Sequence, residues 1–301
     1  MGAVAQIFGY LLNFLYQLFS NYGIAIIVFS ILLKVVMIPI TIKQQKAMKK
    51  STELQNEMIS IQKKYKNDPE KMNQETIELY KREKVNPFSG CLSSILQFII
   101  ILSVFWLVSQ PLTYMKKVDS ELINKYTNEM KESNFNKNNG YAQIGLLDYA
   151  ETKYQEVEKL LESENLENRE EIENKKEEYN QLRINMNFLG IDLSKVPQMN
   201  LKDWKVYVIP LLYVVTSIVS TKLTMNTQMN QNKKEEDSSS NDALEQMQSM
   251  NKSMSYMLPI MSVMIAFIAP LGLALYWLMT NILMIIERLI INKIQGNKQE
   301  A

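Results

Sequence analysis

The chain has 301 residues, 47% of them hydrophobic, and its 33 Lys and Arg against 32 Asp and Glu leave a net charge of +1. This charge gives no electrostatic basis for nucleic-acid binding, and the lack of histidine together with a single cysteine, Cys91, excludes His/Cys metal sites, histidine-dependent nucleophiles and an internal disulfide. Long charged stretches dilute several apolar runs, a profile typical of a membrane protein with soluble loops. We expect no enzyme and no cofactor, although a histidine-independent enzyme stays open.

The N-terminal segment, residues 1–21, is apolar but short and carries Gln6, Asn13 and Gln17 at helical spacings. We expect an interfacial helix here. A cleaved signal peptide is disfavoured because no basic region precedes the segment and no small-residue cleavage site follows it. Residues 22–42 then supply enough apolar sequence to cross a hydrocarbon core of roughly 30 Å at about 1.5 Å per residue. This range is predicted as transmembrane helix one.

Residues 43–86 change character, with 11 Lys and Arg against 7 Asp and Glu. The Asn67-Asp68-Pro69 sequence interrupts the helical pattern, because Asp68 suits an N-cap and Pro69 suits the first helical position. We therefore predict a polar helical hairpin outside the membrane. Its basic excess in a short segment indicates the cytoplasm by the positive-inside rule.

Transmembrane helix two is predicted over 88–111, and a charged extracytoplasmic insert follows over 113–203, with 13 basic and 18 acidic residues. Sparse apolar positions in the insert predict a solvated helix or helix pair, with a coiled-coil partner site as the alternative. These positions are Val157, Leu160, Leu161, Ile172, Tyr179 and Leu182.

The C-terminal third contains three further apolar runs, the last two joined at Pro270-Leu271-Gly272. Transmembrane helix three is predicted over 204–223 and a cytoplasmic loop over 224–253. Transmembrane helices four and five are predicted over 254–270 and 271–292, and a cytoplasmic tail over 293–301. The predicted fold is an all-α polytopic membrane protein with five transmembrane helices. Its N-terminus would lie outside and its C-terminus in the cytoplasm.

Lys34 is a lone charge within span one, where an ammonium group costs on the order of 2.5–3.5 kcal/mol. Snorkelling is difficult because about 12 Å of helix rise separates the lysine from the nearer end of the span. An acidic partner is also difficult, because spans two, three and four contain no Asp or Glu and Glu287 of span five lies near the cytoplasmic end. Water is the remaining explanation, so we predict a hydrated cavity among the helices.

Other polar side chains in the spans could line the same cavity. Each one alone is more often an inter-helix hydrogen bond, but together with a central lysine they indicate a hydrophilic pocket. The set is Ser93, Ser94 and Gln97 in span two, Thr216, Ser217 and Ser220 in span three, and Thr280 and Asn281 in span five.

Four stretches of the chain resemble the YidC-type membrane protein insertases, whose relatives occur in mitochondrial inner and chloroplast thylakoid membranes. They are NYGIAIIVFSILLKVVMIPITIKQQKAMKK, IQKKYKNDPEKMNQETIELYKREKVNPFSGCL, FLGIDL with VIPLLYVV, and PLGLALYWLMTNILMII. The resemblance implies a groove open to the cytoplasm and to lipid, with one positive charge in span one. Lys34 would supply that charge, although arginine is usual there. Positions that match the family are Gln97, Tyr276, Trp277 and Asn281, whereas Ser217 and Ser220 stand where glutamines often line the groove.

The resemblance implies an insertase that works without ATP in the bacterial plasma membrane, and no phosphate-binding loop is found in the sequence. Its clients would be nascent membrane proteins that leave into the membrane lipids. The ribosome, the signal recognition particle pathway and the Sec translocon are candidate partners. The expected groove residues are Lys34, Ser94, Gln97, Thr216, Ser217, Ser220, Trp277 and Asn281, with no catalytic or metal-binding residue. Two other functions stay open, a small-solute transporter or channel and a membrane anchor for an extracytoplasmic helical scaffold.

Overall fold

The computed structural model describes residues 2–83, 89–135, 140–162, 168–232, 257, 261 and 264–297. In this part of the chain the α-helices are, in order, α1 (Gly2–Phe19), α2 (Tyr22–Lys64), α3 (Pro69–Arg82), α4 (Ser89–Ser109), α5 (Ser120–Glu132), α6 (Ala142–Leu161), α7 (Arg169–Leu182), α8 (Val208–Asn232) and α9 (Leu271–Asn297). The chain divides into two compact units. Unit 1 comprises Met1–Leu32, Leu102–Leu223 and Pro259–Ala301, and unit 2 comprises Leu33–Ile101 and Thr224–Leu258.

Four helical segments in the described residues are long and apolar enough to cross a membrane: Gly2–Phe19, Tyr22–Gln44, Trp204–Leu223 and Leu271–Ile290. The predicted all-α fold of a polytopic membrane protein is therefore confirmed. The number of five spans stays a prediction, because only residues 257, 261 and 264–270 of the fourth predicted span are described and the second contributes a shorter apolar helix. The first segment is long enough to cross, so its interfacial placement also stays a prediction.

Helix α1 packs one face against a π-helical turn, Leu112–Lys116, which follows α4. Gly9 allows the two backbones to touch, because a Cβ atom at this position would overlap the carbonyl oxygen of Tyr114. The buried residues of α1 recur every three or four positions, as expected for a helix with one packed face. They are Ala5, Gly9, Leu12 and Leu15.

The charged insert forms three helices, in which α6 packs against both α5 and α7. Of the sparse apolar positions, Val157, Tyr179 and Leu182 are buried, whereas Leu160 is exposed. The predicted helix pair is thus present as α6 and α7. The third helix, α5, was not predicted.

An aromatic cluster joins the three helices of the insert. The Tyr126 and Tyr179 ring centroids lie 4.8 Å apart, and those of Tyr149 and Tyr179 lie 6.4 Å apart. The hydroxyl groups of Tyr149 and Tyr179 both donate to Oε1 of Glu129, at 2.7 and 3.1 Å. The tyrosines therefore bury their rings and still satisfy their hydroxyl groups, which is the usual condition for burying this side chain.

A small β-hairpin follows the insert, with strand β1 (Asn187–Phe188) antiparallel to β2 (Ile191–Asp192). Its two turn residues, Leu189 and Gly190, have φ values of 52° and 75°. Two positive φ values are typical of a type I′ turn, in which asparagine and glycine are preferred. A leucine in this left-handed region costs on the order of 1–2 kcal/mol, so the backbone at Leu189 is strained.

The hairpin region holds the starts of two long helices. The Tyr22 N–H, at the start of α2, donates to the Asn185 carbonyl oxygen at 3.1 Å. The Leu271 N–H, at the start of α9, donates to the Lys195 carbonyl oxygen at 2.9 Å. The chain is not helical at Pro270, which agrees with the predicted break before the last span.

A third helix starts at the same place. A 3-10 turn, Trp204–Tyr207, leads directly into α8, and Nζ of Lys205 in this turn donates to the Gly190 carbonyl oxygen at 3.3 Å. Helices α2, α8 and α9 therefore begin at one end of unit 1. Both α8 and α9 continue past the predicted ends of spans three and five, at 223 and 292, because no proline interrupts them there.

Unit 2 contains the polar hairpin predicted over 43–86. Helix α2 continues to Lys64, and α3 begins after Asp68, whose carboxylate accepts a hydrogen bond from the Lys71 N–H at 3.1 Å. The predicted N-cap and the proline at the first helical position are therefore confirmed. The two arms are joined by the Tyr65 hydroxyl donating to Glu75 at 3.1 Å and by an ion pair between Arg82 and Glu57.

Candidate functional site

Lys34 is the only charged residue between positions 22 and 42, and it lies half-buried on α2 in unit 2. Apolar side chains on either side of it along the helix are exposed, including Val35, Val36 and Ile38. An exposed apolar surface of this density suits contact with lipid, in which every backbone polar group is satisfied by the helix itself. The lysine is thus a single cation in a segment suited to the bilayer.

Ser94 and Gln97 lie on α4, also in unit 2. Their spacing of three residues places them on one face of the helix. Their side chains lie outside the described part of the structure, so their place in a groove stays a prediction.

Helices α8 and α9 of unit 1 meet through two side-chain contacts. The ring centroids of Tyr213 and Trp277 are 6.1 Å apart, and the Ser220 hydroxyl lies 3.5 Å from the Met284 sulfur. The two contacts are seven residues, about two helical turns, apart on each helix. Helices α8 and α9 therefore run parallel to each other. Tyr213 was not among the predicted residues, although its seven-residue spacing from Ser220 could have indicated it.

Between these two contacts lie Ser217 on α8 and Asn281 on α9. Ser217 is buried, and the Asn281 Nδ2 atom is buried without a hydrogen-bond partner in the described part of the chain. A buried donor left without a partner costs about 1–3 kcal/mol, which a water molecule or a polar ligand group would remove. The part of α8 and α9 that carries Ser217 and Asn281 is therefore suited to bind water or a polar segment.

Thr216 uses its hydroxyl within its own helix. The Thr216 Oγ1 atom lies 3.0 Å from the carbonyl oxygens of both Leu212 and Tyr213. Backbone bonding of this kind leaves a hydroxyl less available to a ligand. The structure thus brings Trp277 and Ser220 to contacts between α8 and α9, with Ser217 and Asn281 on the turns between these contacts. The place of Thr216 in a groove stays a prediction.

The predicted groove residues are divided between the two units. Lys34, Ser94 and Gln97 belong to unit 2, whereas Thr216, Ser217, Ser220, Trp277 and Asn281 belong to unit 1. A single groove that unites both sets stays a prediction.

A polar cluster that sequence reasoning missed lies at the end of the insert. The Ser194 hydroxyl oxygen is 2.9 Å from Asp148 Oδ1 and 2.7 Å from Asp192 Oδ1. Burial raises the pKa of Asp148 to about 6, and the nearby Asp192 charge adds to the rise. Since one hydroxyl hydrogen can be donated to only one carboxylate, the cluster is fully bonded when Asp148 holds a proton. Asp148 is 46 positions from Ser194, and no local pattern connects them.

Comparison with known proteins agrees with these features. The sequence profile of the family described as 60Kd inner membrane protein matches residues 14–299. The chain belongs to this family. The predicted resemblance to the YidC-type insertases is confirmed, and with the apolar helices the family identifies a multi-pass membrane protein.

Several members of the family are named membrane protein insertase YidC. The one from Caldanaerobacter subterraneus subsp. tengcongensis is 42% identical over 105 residues, which are 35% of this chain and 51% of the relative. The one from Fusobacterium nucleatum is 42% identical over 100 residues, 33% of this chain and 49% of the relative. The one from Treponema denticola is 23% identical over 293 residues, 97% of this chain and 38% of the relative. The chain spans about half the length of the first two relatives.

Proposed function

We propose that the chain inserts membrane proteins into the lipid bilayer through a hydrophilic groove that carries the positive charge of Lys34. Membership of a family whose members are named insertases supports this proposal. The single observation that carries it is the position of Lys34, a half-buried cation on a helix segment with exposed apolar neighbours. A charge this costly in lipid is retained where it has a function.

The groove lowers the barrier for the polar part of the client. An acidic side chain at the centre of a bilayer costs on the order of 2.5–3.5 kcal/mol. Attraction between two unit charges about 4 Å apart contributes roughly 4 kcal/mol at an effective dielectric constant of about 20. The Lys34 ammonium can therefore offset the cost of moving one acidic residue. Water bound at the level of Ser217 and Asn281 would shorten the dry path further.

Hydrophobic transfer of the client drives the reaction. Each Leu, Ile, Phe or Val contributes roughly −0.3 to −0.6 kcal/mol on entering the bilayer, so about 20 such residues contribute roughly −6 to −12 kcal/mol. This sum exceeds the cost of one or two acidic residues in the translocated tail. The step needs no ATP and no chemical catalysis, and the client leaves sideways into the lipid.

The proposed orientation has the N-terminus outside and the C-terminus in the cytoplasm, with the groove open to the cytoplasm. It rests on the basic excess of the hairpin formed by α2 and α3. This hairpin would be the first contact for a nascent membrane protein. The ribosome, the signal recognition particle pathway and the Sec translocon are the proposed partners in delivery.

The proposal is tested by complementation of an insertase-depleted bacterium with Lys34→Glu and Lys34→Arg, scoring insertion of a single-span client with an acidic tail. We expect Lys34→Arg to support insertion and Lys34→Glu to slow it by about tenfold or more, since about 1.4 kcal/mol of lost attraction has that effect. Lys159→Glu, the same charge change on an exposed residue of α6 in the insert, is the matched control and should leave insertion near the parent rate. Equal insertion by Lys34→Glu and the parent would refute the charge attraction.

The same variants separate the proposal from the two functions left open by the sequence. A transporter or channel would give a solute flux in vesicles that depends on Lys34, with no effect on client insertion. A scaffold anchor would tolerate every substitution of Lys34 and fail when residues 115–183 are deleted. The insertase proposal predicts the reverse of the scaffold result.

A further inference from the structure

An exposed apolar surface lies where the insert returns to the spans. We call it the tip surface and define it by Leu189, Leu201 and Trp204. The exposed fractions of these residues are 86%, 68% and 72%. Leu189 also has a left-handed backbone that leucine disfavours and that asparagine or glycine adopts readily. The exposure is unfavourable in water and the backbone strain is present in any environment, so we infer that an apolar contact offsets both costs.

The tip surface is held at the level where the spans begin. The Phe188 ring packs so closely on the first turn of α2 that a Cβ atom at Gly23 would overlap it. The Asn21 side-chain amide donates to the Asn187 carbonyl oxygen at 2.7 Å. The hairpin therefore lies directly against the end of a helix that is apolar enough to cross the membrane.

The other side of the tip surface is continuous with a second span. Trp204 is the first residue of the apolar segment Trp204–Leu223, and tryptophan is enriched where spans meet the headgroups. Lys202 and Lys205 flank it and are exposed, so their amines can reach lipid phosphates while their stems cover apolar surface. Lys205 also donates to the Gly190 carbonyl oxygen, which ties the two parts of the tip surface together.

We propose that the tip surface inserts into the membrane interface beside the ends of α2, α8 and α9. Leu189 and Leu201 enter the boundary between headgroups and acyl chains, and Lys202 and Lys205 remain at the level of the phosphates. The partner is lipid, for two reasons. The tip surface is continuous with the apolar segment that begins at Trp204, and the hairpin packs against the start of α2, so the surface lies at the depth where this helix enters the membrane. The inserted tip surface would hold the insert at a defined height on the bilayer.

Spin labelling of the full chain tests this inference. A Cys91→Ser background carries a nitroxide at Leu189→Cys or at Leu201→Cys, in vesicles of phosphatidylethanolamine and phosphatidylglycerol without any other protein. The matched control is Leu160→Cys, an exposed leucine on α6 of the same insert. We expect the ratio of collisions with oxygen to collisions with a water-soluble nickel chelate to be severalfold higher at 189 and 201 than at 160.

The two labelled positions lie on different segments, so a local defect at the turn leaves position 201 informative. A ratio at 201 equal to that at 160 overturns the inference, whatever is found at 189. A ratio at 189 equal to that at 160, with the parent melting temperature retained, overturns it as well. Either result would mean that the tip surface faces water when no partner protein is present.

Discussion

The substitution Asp148→Asn removes a buried, hydrogen-bonded charge, and we expect it to make the folded protein more stable at high pH rather than less. Asp148 shares the Ser194 hydroxyl with Asp192, at 2.9 and 2.7 Å, and burial raises its pKa from 3.8 to about 6. The folded protein therefore holds a proton on this carboxyl more tightly than the unfolded chain does. Asparagine reproduces the protonated form, because its amide can donate to the Ser194 oxygen as the acid does.

The magnitude follows from the size of the pKa rise. A shift of about 2 pH units at about 1.4 kcal/mol per unit corresponds to about 3 kcal/mol. Between the unfolded and folded pKa values the folded state binds more protons, so the parent loses stability as the pH rises through this window. Asparagine does not titrate and avoids the loss. We expect no difference between the two proteins near about pH 4 and up to about 3 kcal/mol more stability for Asp148→Asn near about pH 8.

Thermal unfolding of the full chain in detergent, followed by circular dichroism across this pH range, measures the effect. The control is Asp119→Asn, because Asp119 caps α5 and accepts a hydrogen bond from the Glu121 N–H at 2.7 Å, a role that asparagine fills equally well. This control should show no gain in stability over the parent near about pH 8, because the cap is kept. A variant Asp148→Asn that is less stable than the parent at high pH would refute the shared-proton interpretation.

Two further predictions concern backbone packing and capping. Gly9→Ala should destabilise the protein by roughly 1–3 kcal/mol in thermal unfolding, because the added Cβ would overlap the Tyr114 carbonyl oxygen. Gly2→Ala is the control and should leave the stability unchanged, because a Cβ at this position meets nothing within 4 Å. Equal melting temperatures of the two variants would contradict the close contact at Gly9. Asp68→Ala should cost about 1 kcal/mol, because the Lys71 N–H loses its acceptor, and hydrogen exchange in the first turn of α3 should be faster; unchanged exchange would argue against the cap.

Features with a strong local signal were predictable from the sequence. Asp68 and Pro69 form a start signal for a helix that acts within a few residues, and α3 begins there as expected. The break at Pro270 is equally local, since proline lacks the N–H that a continuing helix needs. The apolar spans were predictable because their length alone matches the hydrocarbon thickness.

Features made by distant residues could not be predicted in this way. The tyrosine cluster around Glu129 joins three helices, and no period in the sequence relates its members. The hairpin turn at Leu189 was missed because turn rules favour asparagine before glycine, and leucine breaks that rule. Within the candidate site, Ser217 and Asn281 were predicted individually, but their common level on α8 and α9 follows only from the contacts on either side of them.

The central claim is that water reaches position 34 inside the membrane. It is tested most directly by the reaction of Lys34→Cys with a charged, membrane-impermeant thiol reagent, in a Cys91→Ser background reconstituted in vesicles. The matched control is Val36→Cys, two positions along α2, whose parent side chain is 68% exposed and faces lipid if the claim is correct. We predict that the thiol of the Lys34→Cys variant reacts about tenfold or more faster than the thiol of the Val36→Cys variant, because the thiolate forms only in water. A slower or equal reaction of the Lys34→Cys variant would contradict a hydrated groove around the lysine.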